Sequence, residues 1–430
     1  MYPLDPDQQR QFALQVVTKL REGGFEAYWA GGCVRDCLLE RRPKDYDVAT
    51  NATPPQIREL FSRRRTLEIG AAFGVVAVIG PKPAGVVEVT TFRQDVEYSD
   101  GRRPDAVVFT SAEEDAKRRD FTINGLFYDP LEERPERRVI DFVGGVADLR
   151  RKIIRAIGDP RARFTEDKLR LLRAVRIAAT FDFALDEGTE AAIFEFAPSV
   201  VTVSAERISQ ELRNMLVDSH RARAADLLRE TGLLHAILPE ATSERTTGEQ
   251  WRHTLAVLDR LAKVSFPLAL AALFAAIDHD EAHRGKLAEA ICRRWRLSNK
   301  EREHTRWLVE HRTALVGAET MPWPRLQRLL INENIDDLLA LHEAEALSSG
   351  AGTGHVQKCR ELLQLPPEQL NPPPLATGDD LIAHGIPRGP LFKPLLEILR
   401  DAQLENRVAD KQAALALAER LMAEGIGGAE

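Results

Sequence analysis

The chain has 430 residues, more than one hydrophobic core usually supports, so its length predicts two or more domains. An apolar share of 44% suffices for such cores, but no stretch approaches the roughly 20 apolar residues of a membrane span, which predicts a cytoplasmic protein with no membrane partner. The formal net charge of −7 does not suggest a nucleic-acid binder, and the four cysteines form no CxxC pair that would indicate a disulfide or metal site.

The first third of the chain alternates short apolar runs with turn residues. Helical spacing of apolar residues predicts helices over residues 8–20 and 54–61. Runs rich in Val, bounded by Gly, Pro and Asp, predict strands at residues 74–79, 85–90 and 105–110. After about Asp148 the strand signals stop, and amphipathic helical patterns continue to the end. The fold class predicted is α+β, with a sheet in an N-terminal head and an all-helical remainder.

Positive charge is concentrated in the first half of the chain. Residues 150–176 are rich in Arg and Lys with few acids, and smaller basic clusters lie at residues 41–42 and 63–65. Such clusters are typical of surfaces that bind nucleic-acid phosphates, but the solvated face of a helix has the same composition. The charge distribution alone leaves both interpretations open.

Two acids are separated by one residue in the segment PKDYDVAT. On a strand, residues i and i+2 point to the same face, so Asp45 and Asp47 would project their carboxylates side by side. Adjacent carboxylates repel each other unless a cation lies between them, and Mg²⁺ shared with a triphosphate fits that need. A DxD pair also occurs in ordinary surface turns, so its surroundings decide its meaning.

The segment GGCVRD precedes the two acids. Gly31 and Gly32 would let the backbone approach a phosphate closely, and Arg35 could pair with that phosphate. A tight turn from strand to helix would explain the same glycines. Glu88 lies inside an apolar, strand-like run, where burial is unfavourable unless the carboxylate faces a cation or partner. We expect Glu88 to be a third catalytic carboxylate; a salt bridge on an edge strand is the alternative.

Five motifs follow one another through the first half of the chain. They are GGCVRD with PKDYDVAT, RRDFTING at residues 118–125, DFVGGVADL at 141–149, EDKLRLLRAVR at 166–176 and ERISQEL at 206–212. In order and spacing, the chain resembles the class II tRNA nucleotidyltransferases and bacterial poly(A) polymerases. The resemblance implies a polymerase β-like head with a mixed sheet, followed by a helical neck, body and tail. It also implies tRNA, CTP and ATP as partners, Mg²⁺ as cofactor and no DNA substrate.

The resemblance assigns roles to residues of the later motifs. Arg119, Asp120 and Asn124 would bind the sugar and triphosphate of the incoming nucleotide, which suits a guanidinium, a carboxylate and an amide. Gly144 and Gly145 would form the hinge between head and neck, although any flexible turn shows such a pair.

The EDxxR segment acts as an amino-acid template in this family. Asp167 and Arg170 would lie at i and i+3 on one helix face and pair with the Watson–Crick edge of C or A. A plain surface ion pair is the alternative. Further nucleotide contacts are implied for Arg173 and Arg176, and bracing of this helix is implied for Arg207 together with Glu206 and Glu211.

Four domains are expected from these patterns. They are a catalytic head over residues 1–145, a neck that binds base and RNA over 146–235, a body over 236–365, and a tRNA-binding tail over 366–430. A Pro-rich linker at residues 365–374 would precede the tail, in which Arg388, Lys393 and Arg400 are candidate phosphate contacts.

Two segments bear on the product. Residues 91–110 resemble the full-length loop that switches C to A addition, which disfavours a CC-only enzyme, and Ala71–Ala72 lack the basic pair of poly(A) polymerases. CCA addition is therefore favoured over A-only addition and poly(A) synthesis. An RNA-binding protein with an inactive head is the non-enzymatic alternative.

The body resembles an HD phosphohydrolase-like region in degenerate form. Ala275 and Ala276 stand where a metal-binding His-Asp pair would fall, so we expect no phosphohydrolase activity. The nearby pair His279–Asp280 is shifted by four residues, and His253 and His311 are expected to be structural remnants.

Overall fold

The computed structural model describes residues 4–70, 74–96, 106–242, 247–277 and 281–424. It divides the chain into two compact units. The first unit comprises Met1–Thr246 with Arg294–Leu297, and the second comprises Thr247–Arg293 with Ser298–Glu430. The predicted head and neck fall in the first unit, while nearly all of the predicted body and the whole tail fall in the second. The finer division into four domains stays a prediction.

The first unit begins with an α+β region. Its elements are α1 (Pro6–Glu22), β1 (Ala27–Ala30), α2 (Gly32–Leu38), β2 (Asp47–Thr50), α3 (Pro54–Phe61), β3 (Thr66–Gly70), β4 (Val75–Ile79), β5 (Val86–Thr91), β6 (Arg93–Val96), β7 (Ala106–Phe109), α4 (Ala112–Lys117), β8 (Phe127–Tyr128) and β9 (Val139–Ile140). The two predicted helices and the three predicted strands are all present. The helix predicted over residues 8–20 is longer at both ends, and it begins earlier because Asp5 accepts hydrogen bonds from the Asp7 and Gln8 amides and caps its start.

Seven strands form one mixed sheet in the order β3-β4-β5-β2-β1-β8-β9. Strands β2 and β5 run parallel, and the other neighbours run antiparallel. A buried cluster built from α1, α3 and one face of the sheet forms the core of this region, with Trp29 among its largest members. The opposite face of β5 is open, since Glu88 is exposed between the buried Val87 and Val89. This open face carries two of the three predicted catalytic carboxylates, Asp47 and Glu88.

The rest of the first unit is mainly helical. Its elements are α5 (Gly145–Arg151), β10 (Ile153–Ile154), α6 (Pro160–Glu166), α7 (Leu169–Phe181), β11 (Ala184–Leu185), α8 (Glu187–Phe196), α9 (Ala205–Leu216), α10 (Arg221–Glu230) and α11 (Leu233–Ile237). The prediction that strands stop at Asp148 was wrong, because β10 and β11 pair in parallel beyond it. Strands of two residues are too short to show a period-2 pattern. Helix α7 packs against α9 and α10, so most of its residues are buried.

The second unit is helical throughout its described part. Its helices are α12 (Gly248–Arg260), α13 (Phe266–Leu273), α14 (Glu281–Arg294, whose last residue belongs to the first unit), α15 (Asn299–Glu310), α16 (Trp323–Leu330), α17 (Ile335–Ser349), α18 (Gly354–Leu362), α19 (Pro367–Leu370), α20 (Gly378–Ala383), α21 (Phe392–Leu404) and α22 (Lys411–Glu424). The predicted linker at residues 365–374 contains the short helix α19. Leu381, Leu395 and Leu421 belong to a buried cluster of α20 to α22. In the described ranges, no helix combines the length and apolar character needed to cross a bilayer.

Candidate active site

Two of the three predicted carboxylates face each other across neighbouring strands. Asp47 is the first residue of β2 and lies opposite Glu88 in the parallel pairing with β5, so the two side chains project from the same face of the sheet. Asp45 lies two residues before β2, in irregular backbone. The prediction that both acids share a strand was therefore wrong, because β2 begins only at Asp47.

Electrostatics at Asp47 favour a bound cation. Burial, and to a smaller extent the charges of Asp45 and Glu88, raise the pKa of its carboxyl to about 7, while the charge of Arg119 acts in the opposite direction. In the part of the chain described, no three His, Cys, Asp or Glu side chains form a ready-made metal cluster. A cation held by Asp45 and Asp47 would therefore need oxygens from a substrate, which is the coordination Mg²⁺ commonly adopts with phosphates. The carboxylate donors fit such an ion.

Glu88 does not fit the alternative of an edge-strand salt bridge. Strand β5 lies inside the sheet between β4 and β2, and within the described residues Glu88 takes part in no ion pair. Its carboxylate is exposed on the face that carries Asp47. This position leaves Glu88 available to a cation or to a hydroxyl group that approaches over β5.

A cavity of about 560 Å³ opens beside the two aspartates. Apart from Glu88, it collects every predicted metal-binding and nucleotide-binding residue. Its lining comprises Gly31, Gly32, Arg35, Asp45, Asp47, Arg118, Arg119, Asp120, Asn124, Asp167, Leu169, Arg170, Arg173, Arg176, Ile177 and Arg207. Seven arginines outnumber four aspartates in this lining. The excess of positive charge suits a polyanion such as a triphosphate.

The turn before α2 requires a glycine. Gly31 has a φ of 72°, and a Cβ atom at this position would lie 2.9 Å from Nη1 of Arg119. The turn therefore brings backbone and guanidinium together at one edge of the cavity. The thiol of Cys33 in the following turn is buried, and burial raises its pKa to about 12, which makes it a packing group.

Arg35 is held by its neighbours. Its guanidinium donates to Oδ1 of Asn124 at 2.7 Å and to Oδ1 of Asp36 at 2.7 and 2.9 Å. Asn124 in turn donates to Oδ1 of Asp120 at 3.1 Å. The first and second motifs are thus joined by a direct side-chain network, and a phosphate would meet a guanidinium that is already oriented.

Asp120 forms an ion pair with the neck. Its Oδ2 accepts from Nη2 and Nε of Arg173 at 2.6 and 2.9 Å. Burial on its own would raise the pKa of this carboxyl, but the charge and hydrogen bonds of Arg173, with those of Asn124 and the Phe121 amide, hold the pKa well below its usual range. Asp120 lines the cavity as predicted, and much of its hydrogen-bonding capacity is used inside the protein.

The two residues predicted to read the base, Asp167 and Arg170, lie at and just after a helix junction. Asp167 has a φ of −144° and lies between α6 and α7, so the prediction that it shares a helix face with Arg170 was wrong. Its Oδ1 accepts from the Leu169 amide at 3.0 Å, as a capping residue at the start of α7 does, and its extended backbone ends α6. Asp167 and Arg170 nevertheless line the same cavity.

Both members of this pair have a fixed partner. Nη2 of Arg207 donates to Oδ2 of Asp167 at 2.8 Å, as the bracing role predicts, and Arg170 donates to Glu166 at 2.5 Å. Glu211 binds Nε of Arg176 at 2.6 Å and so also supports α7.

Glu206 was wrongly predicted to brace the same helix. Its carboxylate forms an exposed ion pair with Arg296 at 2.6 Å. Glu206 and Glu211 lie five residues apart on α9, a spacing that places them on different sides of a helix with 3.6 residues per turn.

Sequence analysis missed Asp115, which is fully buried and pairs with both Arg118 and Arg119. Burial would raise the pKa of this carboxyl, but the two arginines lower it below its ordinary value. The acid lies in the run AEEDAK, which has the composition of a solvated helix face, and nothing in the sequence separates it from its exposed neighbours.

The glycine pair of DFVGGVADL has a packing role. A Cβ on Gly145 would lie 2.2 Å from the carbonyl oxygen of Thr122, so this glycine is needed for close contact between α5 and the RRDFTING turn. Gly144 has a φ of 79°. The hinge function stays a prediction.

Ala71 and Ala72 lie outside the described residues, and so do residues 97–105 of the loop segment 91–110. What is described is the base of the loop, where β6 and β7 pair antiparallel, with Arg93 opposite Phe109.

Comparisons with known proteins identify the family. Residues 27–155 match the model of the Poly A polymerase head domain, and residues 182–244 match that of the probable RNA and SrmB-binding site of polymerase A. The CCA-adding enzyme of Geobacillus sp. (strain WCH70) is 33% identical over 406 residues, which cover 93% of both chains. The chain belongs to the CCA-adding enzyme family. Like the other members of this family, it is a nucleotidyltransferase, a class of enzymes that uses a divalent metal ion.

Solved structures of CCA-adding enzymes support this assignment. The enzyme of Bacillus stearothermophilus in complex with CTP superimposes with a TM-score of 0.75 at 31% identity, and the alignment covers 99% of each chain. The enzyme of Thermotoga maritima complexed with tRNA has a TM-score of 0.65 at 19% identity and covers 96% of this chain and 95% of that one, a likeness of fold. The resemblance stated from the five motifs is confirmed.

The body residues that resemble an HD site do not form one in the described ranges. Ala275 and Ala276 are buried, and Nδ1 of His311 lies 2.8 Å from the carbonyl oxygen of Trp307. His279 and Asp280 lie outside the described residues. The absence of phosphohydrolase activity stays a prediction.

The candidate phosphate contacts of the tail differ in their surroundings. Arg388 and Lys393 are exposed. Arg400 instead donates to Asn371 at 2.8 Å and to Gln403 at 3.0 Å. Arg400 is therefore partly committed to holding the segment before α20.

Proposed function

We propose that this protein adds C and A, taken from CTP and ATP, to the 3′ end of tRNA until the CCA terminus is complete, with release of pyrophosphate. The observation that carries the proposal is the cavity in which Asp45 and Asp47 lie together with Asp167 and Arg170. The carboxylates would serve phosphoryl transfer, and the second pair would select the base. Relatives named CCA-adding enzymes along nearly the whole chain support the same reaction.

The chemistry needs no protein nucleophile. The 3′ hydroxyl oxygen of tRNA forms a bond to the α-phosphorus, the bond between this phosphorus and the bridging oxygen breaks, and pyrophosphate leaves in line. Asp45 and Asp47 would hold Mg²⁺, which supplies charge neutralisation and a more acidic hydroxyl when bound. Arg119 and the other cavity arginines would neutralise and orient the triphosphate.

Base selection follows from hydrogen-bonding patterns. Cytosine and adenine both present an amino donor beside a ring-nitrogen acceptor, whereas uracil and guanine present a carbonyl acceptor beside an N–H donor. A carboxylate accepts and a guanidinium donates, so Asp167 and Arg170 match the first pattern and oppose the second. Arg207 and Glu166 hold the two groups in place, and this bracing lets one site read both bases without a nucleic-acid template.

We propose that the reaction takes place in the cytoplasm, with tRNA as the macromolecular partner. The match of residues 182–244 to an RNA-binding region supports contact between the neck and this RNA. Arg388 and Lys393, exposed in the tail, are proposed as phosphate contacts.

A product analysis tests the proposal. The protein with MgCl₂ is given tRNA that ends before CCA, after C, or after CC, with each of the four triphosphates separately, and the products are sequenced. We expect C on the first two substrates and A on the third. Addition of A to the CC-ended tRNA alone would indicate an A-adding enzyme, and long adenosine tails would indicate a poly(A) polymerase.

A variant at the carboxylates completes the test. Asp47→Ala should reduce incorporation by at least about a thousandfold, because such groups contribute several kcal/mol to the transition state. Binding of tRNA should stay near that of the unmodified protein. Binding of tRNA without any incorporation by the unmodified protein would favour an RNA-binding protein with an inactive head.

A further inference from the structure

An aromatic side chain at the end of the neck helix lies beneath two arginines of the head. The guanidinium carbons of Arg35 and Arg41 stand over the ring of Phe181, at 4.3 and 4.8 Å from its centroid. Arg41 also donates to the carbonyl oxygen of Thr180 at 3.4 Å. Phe181 is 9% exposed and Arg35 is partly buried, so the contact between these two is largely shielded from water, whereas Arg41 is exposed. Cation–π contacts gain strength under such conditions.

The two arginines come from the segment that builds the catalytic centre. Arg35 belongs to α2, directly after the turn at Gly31, and Arg41 lies shortly before Asp45. Phe181 is the last residue of α7. One ring therefore joins the end of the neck helix to the segment that leads into the DxD pair.

The same helix has a second attachment to the head. Arg35 is hydrogen-bonded to Asn124, Asn124 to Asp120, and Asp120 to Arg173 of α7. Arg173 and Phe181 lie eight residues apart on one helix, so these contacts form a closed ring of side chains from α7 through the head and back. A helix fixed at two points about 12 Å apart cannot tilt freely against the head.

The position of the base-reading pair depends on this attachment. Asp167 caps the start of α7, and Arg170 lies one turn before Arg173. Their distance from Asp45 and Asp47 is thus set by how α7 is seated on the head. We propose that Phe181 is a positioning residue for nucleotide selection. Held by Arg35 and Arg41, it keeps the base-reading end of α7 at a fixed distance from the catalytic carboxylates. This inference rests on the proposed function.

Phe181 does not line the nucleotide cavity, so its influence would pass through the arginines and the helix. A side chain that only fills space would behave differently. Leucine keeps most of the apolar contact of phenylalanine but has no π face, whereas tyrosine keeps the face. Phe181→Leu and Phe181→Tyr therefore separate the two roles.

Phe183 is a matched control. It is 3% exposed, and its ring centroid is 5.9 Å from that of Phe181. Within the described residues no arginine or lysine stands over the Phe183 ring. Phe183→Leu therefore removes a neighbouring buried ring without removing a cation–π contact.

The experiment measures kcat/KM of the full-length protein with CC-ended tRNA, for ATP and for GTP. For Phe181→Leu we expect the ATP/GTP ratio to fall about tenfold, mainly through a higher KM for ATP, with kcat within about threefold of the unmodified protein. Phe181→Tyr should restore the ratio, and Phe183→Leu should leave it unchanged. Arg41→Met, at an exposed position where folding is not at risk, should lower the ratio in the same direction.

Three results would overturn the proposal. They are a ratio in Phe181→Leu equal to that of the unmodified protein, an equal loss in Phe183→Leu, or a loss in Phe181→Leu that Phe181→Tyr does not restore. Failure of the proposed function is seen separately, as an unmodified protein that adds neither C nor A. In that case the ratio is undefined before any variant is compared.

Discussion

The Oδ2 atom of Asp120 lies 2.6 Å from Nη2 of Arg173, and this ion pair joins the RRDFTING turn to helix α7. Because Asp120 is largely buried, its removal leaves the Arg173 guanidinium without its partner, beside the other arginines of the cavity. We predict that Asp120→Ala lowers the free energy of unfolding by about 3 kcal/mol in urea denaturation at pH 7. As a control, Glu195→Ala, which breaks an exposed pair with Arg161, should cost under about 1 kcal/mol.

The same ion pair predicts a pH dependence of stability. The pKa of Asp120 is lower in the folded state than in the unfolded state. Its ionised carboxylate therefore contributes fully to the free energy of unfolding above the ordinary aspartate pKa, and this contribution is lost as the pH falls through the lowered pKa. The difference in unfolding free energy between the unmodified protein and Asp120→Asn should therefore shrink below about pH 4. A constant difference down to pH 2 would contradict this account.

Metal activation should depend on the ionisation of Asp47. Its pKa is raised to about 7 by burial and by the charges of Asp45 and Glu88, and a metal ion binds only the ionised carboxylate. Between pH 7 and pH 5.5 we predict that the Mg²⁺ concentration for half-maximal incorporation rises with a slope that approaches tenfold per pH unit at the acidic end. The measurement is a Mg²⁺ titration of C addition at fixed ionic strength.

The stability of the metal-free protein should also depend on the ionisation of Asp47. The pKa of Asp47 is higher in the folded state than in the unfolded state. Its contribution to the free energy of unfolding is therefore fully present below the unfolded-state pKa near 3.9 and is lost as the pH rises through about 7. In EDTA, the melting temperature of Asp47→Asn should therefore exceed that of the unmodified protein at pH 8, with the two converging toward pH 4. Equal curves at both pH values would contradict the raised pKa.

Gly145→Ala should damage the junction between α5 and the RRDFTING turn. The added methyl group would lie 2.2 Å from the Thr122 carbonyl oxygen, and backbone cannot move aside as a flexible side chain can. We predict a loss of about 3 kcal/mol in unfolding free energy. Gly248→Ala is the matched control, because its nearest neighbour, Nη1 of Arg252, is 3.7 Å away. It should change stability by less than about 0.5 kcal/mol.

The contact between Arg207 and Asp167 should affect base selection. Arg207→Ala removes the 2.8 Å bond that orients the Asp167 carboxylate, so we expect about tenfold weaker discrimination between CTP and UTP on tRNA that ends before CCA. A double-mutant cycle with Asp167→Ala measures the coupling. Additive effects of the two substitutions would show that Arg207 acts independently of Asp167.

The parts of the fold that follow local patterns were predictable from sequence. Val-rich runs gave β4, β5 and β7, and apolar spacing gave α1 and α3. The parallel pairing of β2 with β5 was not predictable, because it joins segments far apart in the chain and no local signal specifies a partner strand. Motif order nevertheless predicted residues that line one cavity, since residues of four of the five motifs converge there.

Errors at the site had local physical causes. The acid before LRLL is a recognised signal for the start of a helix, and this signal would have placed Asp167 at the cap of α7. The start of β2 at Asp47, which leaves Asp45 outside, depends on pairing with β1 and β5 and could not be read from PKDYDVAT. Asp115 could not be recognised because burial is decided by its arginine partners.

The parallel alignment of Asp47 with Glu88 has a consequence for how the enzyme acquires activity after synthesis. The strands that carry them are separated in sequence by α3, β3 and β4, so the two carboxylates meet only once this long crossover has closed. Pairings between distant segments form slowly compared with helices. Activation of the enzyme by metal should therefore appear late in refolding, after most of the circular-dichroism signal of the helices has been recovered. The onset of this activation would report when the sheet closes.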